Sequence, residues 1–248
     1  MIGSPRRFYG KADLLATERG YRVLLDGRVM KTPAGADLVL PTQALARAVV
    51  DEWQAQGDVI RADTLPATRL AATAIDLVAA NRQAVIDQLI TCADFDLLFY
   101  RAPEPPDLAL RQEACWQPLL DWAVEIWKIP FNVTTGVMPV SQPAALAEAL
   151  APAVGALGDM ELTGLANVAQ TGGSLIIALA LAAERIDAAT ACEAALLDES
   201  FQTERWGMVR EAVERRRRLT DDIVFANRFL AWCRNIERSA GRSEGCVH

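Results

Sequence analysis

The spacing of apolar residues changes period once along this chain, near residue 42, and that change dictates a fold in two parts. Before it, short apolar runs are cut by turn residues. Tyr21-Arg22-Val23-Leu24-Leu25 is followed by Asp26-Gly27 and then by Arg28-Val29-Met30-Lys31-Thr32. Asp-Gly readily adopts the positive φ angles of a two-residue hairpin turn, whose twist matches that of the strands it joins. Pro33-Ala34-Gly35 is a second turn, and Leu38-Val39-Leu40 is a third strand stopped by Pro41. Upstream, residues 11–17 read as another strand, closed by Glu18-Arg19-Gly20. An antiparallel meander of three or four strands is predicted.

After residue 42 the period is helical. Thr42 is a plausible N-cap, Leu45, Val49, Val50 and Trp53 share one face, and Gly57 suits the stop. Such a helix can cover one face of the meander and complete a small α+β unit. Residues 58–66 read as a connector. Leu70, Ala74, Leu77 and Val78 then form a stripe, followed by Val85, Ile86, Leu89 and Ile90. Pro103-Glu104-Pro105-Pro106 is a break, because proline lacks the amide donor and clashes with the preceding turn. Trp116, Leu119, Leu120, Ala123, Ile126 and Trp127 make a broad helical face, which Pro118 either opens or kinks. An extended connector at 130–143 leads to helices near 144–157, 160–170, 173–185, 188–217 and 220–238. The fold class is therefore α+β. A small N-terminal antiparallel β-meander with a covering helix occupies residues 1–64, followed by a larger all-helical domain in residues 65–248. Trp53, Trp116, Trp127 and Trp232 fall on apolar faces and are expected in the core.

Composition narrows the chemistry. The 248 residues carry 25 Lys and Arg against 32 Asp and Glu, a net charge of −7, which makes a poor general ligand for nucleic acid or an anionic membrane. Five cysteines, an odd count without any C-x-x-C, indicate neither a disulfide framework nor a zinc site. They read as buried free thiols in a reducing compartment. The one histidine is His248. Ser-His-Asp and Cys-His catalysis, imidazole acid–base chemistry and His-rich metal sites thereby lose their central group. No secretory signal is expected from Met1-Ile2-Gly3-Ser4-Pro5-Arg6-Arg7-Phe8. The most apolar window, residues 175–183, is far shorter than the roughly 20 residues that a membrane span needs. A soluble intracellular protein without cofactor or metal is expected.

Four segments stand out. Gly172-Gly173-Ser174 opens an apolar helix but lacks the glycine spacings that cradle nucleotide phosphates, so it reads as an ordinary helix start. Asp94 and Asp96 flank Phe95 and could form an acid–base or metal pair. Residues two apart on a helix do not face each other, which favours capping or an ion pair with Arg101. Arg215, Arg216, Arg217 and Arg218 form the sharpest charge run, with Glu211 and Glu214 four positions before Arg215 and Arg218, a spacing for self-pairing on one helix. From residue 199 onward ten arginines face eight acids, without the aromatic-interleaved basic groove that grips single strands. Asp198-Glu199-Ser200-Phe201-Gln202-Thr203-Glu204-Arg205-Trp206-Gly207 mixes aromatics with both signs of charge. It reads either as a helix with Phe201 inward and a salt-bridged outer face or as an interaction surface, where aromatics and arginine are favoured.

Several segments, in order over nearly the whole chain, carry a resemblance. They are Val23-Leu24-Leu25-Asp26-Gly27-Arg28, Lys31-Thr32-Pro33-Ala34-Gly35, Leu38-Val39-Leu40-Pro41, Glu52-Trp53-Gln54-Ala55-Gln56-Gly57, Thr68-Arg69-Leu70-Ala71 and Ala74-Ile75-Asp76. Asp96-Leu97-Leu98-Phe99-Tyr100-Arg101, Trp116-Gln117-Pro118-Leu119-Leu120-Asp121-Trp122 and Phe201-Gln202-Thr203-Glu204-Arg205-Trp206-Gly207, with Glu211-Ala212 and Arg215-Arg216, complete the set. With these the chain resembles the assembly chaperones for the α subunit of the ATP synthase F1 sector, found in mitochondria and α-proteobacteria. The resemblance implies an N-terminal α+β unit and a helical domain. It also implies a non-enzymatic monomer, without cofactor, metal, nucleic acid or stable membrane insertion, that holds free α subunits until β subunits replace it. The setting implied is a bacterial cytoplasm, or the mitochondrial matrix of a eukaryote. Acidic positions of the family's C-terminal motif point to Glu199, Glu204 and Glu211, and with Phe201, Arg205 and Trp206 these make the candidate partner-binding set. Met208-Val209-Arg210 stands where the resemblance leads to a more acidic segment. Two rival readings are a carboxylate enzyme using Asp94 and Asp96 in a helical cleft, and an RNA-binding adaptor using the arginine run 215–218.

Overall fold

Asp26 and Gly27 both take positive φ angles, 47° and 80°, and close the predicted hairpin in the computed structural model, which describes residues 5–207 and 210–234. Strand β1 (Ala12–Thr17) pairs antiparallel with β2 (Gly20–Leu25), with Ala12 opposite Leu25 and Thr17 opposite Gly20. The other edge of β2 is shared by β3 (Arg28–Val29) and β4 (Val39–Leu40). Gly20 admits no side chain: its φ is 124°, and a Cβ would lie 2.4 Å from the Leu40 carbonyl oxygen where β4 crosses. Val23 and Leu25 alternate inward, as one buried face of a sheet requires. Strand β3 is shorter than the five residues read from sequence. The bridge between Lys31 and Asp37 and the bond from Thr32 N–H to the Ala36 carbonyl already turn the chain there.

Helix α1 (Gln43–Gln54) lays Leu45, Ala46, Val49 and Val50 on the sheet. Thr42 caps it, its Oγ1 accepting from Leu45 N–H at 3.2 Å and donating to the Trp232 carbonyl at 2.5 Å. The helix stops before Gly57. Helix α2 (Pro66–Thr73) is capped from outside, because both carboxylate oxygens of Glu52 accept from the N–H groups of Ala67 and Thr68. Trp53 Nε1 donates to Thr68 Oγ1 at 3.0 Å. Asp76 likewise accepts from Thr32 Oγ1 at 2.6 Å and Ala34 N–H at 3.0 Å, which pins the second turn. By packing, the chain divides into Met1–Asp76 with Phe229–His248, and Leu77–Arg228. A cut between residues 64 and 65 assigns α2 and the end of the last helix to the helical part, whereas these hydrogen bonds tie them to α1 and its N-cap.

The second unit contains α3 (Arg82–Cys92), β5 (Tyr100–Arg101), α4 (Pro106–Trp127), β6 (Thr134–Thr135), α5 (Ala145–Gly155), α6 (Asp159–Gly172), α7 (Leu175–Ala182), α8 (Ala188–Ala195) and α9 (Leu197–Trp206). Helix α10 (Arg210–Arg234) runs from it into the first unit. All eight residues of α7 are buried. A helix apolar on every side has to be a core element, and α7 is packed by α3, α4, α6 and α8. Gly172-Gly173-Ser174 is the join: Gly173, at φ 68°, ends α6, and Ser174 Oγ accepts from Ile177 N–H to start α7. Pro118 lies inside α4 and does not open it. The span read as one helix at 188–217 is α8, α9 and the start of α10, and α10 continues through the break expected at 218–219. Residues 235–238 of that prediction, and Met208, Val209, Cys246 and His248, lie outside the described residues. Of the four tryptophans expected in the core, Trp116 is fully buried, whereas Trp53, Trp127 and Trp232 are half-buried. Trp53 leans on Tyr9 and Trp127 on Trp122, so each keeps one edge outside the core.

Candidate functional site

Helix α9 is held by its inner face, and its outer face carries charged and aromatic side chains. Leu197 and Phe201 are buried, one turn apart. Gln112 on α4 is itself buried and ties α9 to the strand region. Its Nε2 donates to Asp198 Oδ1 at 2.7 Å, its Oε1 accepts from Ala102 N–H at 2.7 Å, and its carbonyl accepts from Arg101 Nη1 at 3.0 Å. Trp116, one turn further along α4, donates from Nε1 to the Ala194 carbonyl at 2.9 Å and so fixes the end of α8.

The outer face of α9 is a band of exposed ion pairs with α4 and α10. Glu204 accepts from Arg111 at 2.7 Å, and Arg205 reaches Asp107 at 3.2 Å. Glu199 pairs with Arg215. The two guanidinium groups of Arg111 and Arg205 lie 5.2 and 5.0 Å from the centre of the Phe201 ring. Phe201 is therefore a buried platform that orients the arginines and offers no surface of its own. Trp206 is the reverse, 72% exposed at the end of the helix. Glu211 is exposed on the first turn of α10. Exposed pairs of this kind are worth at most about 1 kcal/mol each, so a partner's charges can replace either member at little cost.

Beside α9 an open cleft of about 690 Å³ is lined by the apolar Ala114, Pro118, Leu119, Ile186 and Leu197 and by the charged Arg111, Arg185, Glu193, Glu204 and Arg216. Cys115 also lines it, its thiol pushed up by burial and further by Glu193. Sequence periodicity marks the face of α9 but not this cleft, since its walls come from segments up to about a hundred residues apart. Arg111 and Asp107 share one face of α4 at a spacing of four, the only local hint of the charged seam.

The two carboxylates considered as an acid–base pair do not converge. Asp94 is exposed, whereas Asp96 is fully buried and accepts from Leu98 N–H and Ile176 N–H, both at 3.1 Å. It caps the short turn at Leu97–Phe99 and the start of α7, and makes no ion pair with Arg101. In the arginine run, Arg217 pairs with Asp221 and Arg218 with Glu214 within α10, while Arg215 reaches Glu199 on α9 and not Glu211. Among the described residues, no group of three or more His, Cys, Asp or Glu side chains gathers to hold a metal ion. No helix among them is long and apolar enough to cross a membrane.

The family model described as ATP12 chaperone protein matches residues 6–124. The crystal structure of Atp12 from Paracoccus denitrificans superposes with a TM-score of 0.88 at 39% identity, over 92% of this chain and 98% of that one. A point mutant of the same P. denitrificans protein gives the same figures. Atu1473 from Agrobacterium tumefaciens, described as a putative chaperone, superposes at 0.86 with 36% identity, over 92% of this chain and 86% of that one. Protein atp12, mitochondrial, of Schizosaccharomyces pombe is 23% identical over 221 residues, covering 84% of this chain and 76% of that protein. These likenesses define the class as assembly chaperones. The chain belongs to the ATP12 chaperone family, which serves ATP synthase assembly.

Proposed function

We propose that this chain binds the free α subunit of the ATP synthase F1 sector, keeps it from aggregating, and releases it for assembly with β subunits. A ring subunit without its neighbour exposes a large apolar interface, which is an aggregation hazard. A holdase must cover that face reversibly, with contacts that the true neighbour can outcompete. The observation that supports this reading most directly is the outer face of α9. There the exposed indole of Trp206 stands next to the exchangeable pairs of Glu204 with Arg111 and Arg205 with Asp107. Glu199, Glu204, Arg205, Trp206 and Glu211 form the proposed contact surface, with Phe201 beneath it as support. On this reading the protein acts as a monomer and makes or breaks no covalent bond. It works in a bacterial cytoplasm, or in the mitochondrial matrix if its source is eukaryotic.

The test is a binding and aggregation assay with isolated α subunit. The chain is expected to suppress light scattering of that subunit without added ATP. A chain that neither binds the subunit nor slows its aggregation would rule the function out. Glu204→Lys brings a like charge to Arg111 and should weaken binding about tenfold or more, with stability changed by less than about 1 kcal/mol. Trp206→Ala is a clean companion, because an exposed indole contributes little to the fold; a large drop in melting temperature for either variant would move these residues from contact surface to scaffold.

A further inference from the structure

The cleft beside α9 carries charges that the fold itself does not use. Arg111 and Glu204 satisfy each other across its edge. Arg185 and Arg216 also line it, and among the described residues neither side chain has a hydrogen bond or an ion pair. Arg216 is singular within its run, since Arg215, Arg217 and Arg218 each hold a carboxylate. Three arginines against two glutamates thus give the lining a positive excess in a chain whose net charge is −7. The backbone adds a second observation. Pro118 sits inside α4 and has no N–H to give the carbonyl of Ala114, and both residues line the cleft. The Ala114 carbonyl therefore lacks its usual helical donor, on a residue that lines the same cleft as the two uncommitted arginines.

We infer that this cleft docks a short extended segment of the client polypeptide, one that carries an acidic side chain beside apolar ones. The inference rests on the chaperone reading above. The acidic side chain pairs with Arg185 and Arg216, whose planar forks suit a carboxylate. Apolar neighbours settle on Ile186, Leu197 and Leu119. A client backbone N–H completes the Ala114 carbonyl, and an extended segment has such donors free where a helix has spent its own. The cleft shares Arg111 and Glu204 with the face of α9, so an acidic client group that enters it competes with Glu204 for Arg111.

The experiment uses the full chain and isolated α subunit as the probe, titrated at low and at physiological salt. The double variant Arg185→Glu with Arg216→Glu is expected to bind at least tenfold more weakly and to lose most of the salt dependence of the wild type. Ala114→Trp fills the cleft from an exposed position. It should weaken binding by a similar factor with the melting temperature unchanged. Wild-type affinity and salt dependence in both variants would overturn the cleft as a docking site while leaving the chaperone reading intact. A wild-type chain that does not bind the α subunit would overturn both.

Discussion

Trp116→Ala should lower the stability of the folded chain by about 3–5 kcal/mol, the cost of emptying a large aromatic site in a close-packed core. Trp116 is fully buried, and three separate losses follow from its removal. The cavity is the largest. The Ala194 carbonyl also loses the indole N–H that it holds at 2.9 Å, leaving a buried acceptor without a donor. Finally, the Arg101 guanidinium, 5.2 Å from the centre of the Trp116 ring, loses its aromatic face. Arg101 is 8% exposed and its Nε already lacks a partner, so it has little with which to compensate. At roughly 2–4 °C per kcal/mol for a chain of this size, the melting temperature should fall by about 6–20 °C. Trp116→Phe keeps most of the volume and removes the N–H, and should recover more than half of that loss. Trp206→Ala should leave the melting temperature nearly unchanged, so the two tryptophans separate scaffold from surface in one experiment. A Trp116→Ala chain within about 1 kcal/mol of the wild type, by denaturant midpoint at constant slope, would contradict the packing described for α4 and α8.

The same comparison shows what local pattern can and cannot reveal. The Asp26-Gly27 hairpin, the Thr42 cap and the all-apolar α7 were legible because each depends on a few adjacent residues and on backbone geometry alone. The side of a helix that faces inward was legible from spacing, as Phe201 illustrates. What lies opposite that side was not. The seam of Glu204 with Arg111 and Arg205 with Asp107 joins residues more than ninety positions apart, and no periodicity encodes that distance. Tryptophan was misread for a related reason. Trp53 and Trp127 do fall on apolar faces, but indoles at the border of a core keep one edge in water, and spacing does not distinguish border from centre. The motifs that carried the family resemblance have a physical content that local reading missed. Glu52 and Trp53 are bound to Thr68, and Thr32 to Asp76, so pairs of motifs are the two halves of single hydrogen-bonded clusters. The cleft was invisible because it is made only when α4, α8, α9 and α10 come together.

Asp96 should make the stability of this protein fall as pH rises between about 4 and 6, against the usual trend for carboxylates. Burial pushes its carboxyl up to about 6, opposed but not cancelled by bonds from Ser174 and from the N–H groups of Ile176, Leu98 and Leu175. In the unfolded chain the group titrates near 3.8. Between these values the folded state holds a proton that the unfolded state has released, so raising the pH favours unfolding. The contribution is thus fully present below 3.8 and is lost as pH passes through about 6. At about 1.4 kcal/mol per unit of pKa difference it amounts to some 3 kcal/mol, or about 6–12 °C in melting temperature. Other carboxylates, such as Asp26 and Asp187, are held below their ordinary range by backbone N–H groups and act in the opposite sense. The wild type alone therefore does not isolate Asp96. Asp96→Asn does, because the amide cannot titrate and otherwise resembles the protonated acid. The stability of the wild type relative to Asp96→Asn should be greatest below pH 3.8 and should decline by about 3 kcal/mol on going from there to pH 7, roughly 2 kcal/mol of it above pH 4. A difference that stayed level, or grew with pH, would mean that the N–H groups at the start of α7 hold the buried carboxylate charged throughout. The join between α6 and α7 would then be an anion site tuned by the helix end instead of by burial.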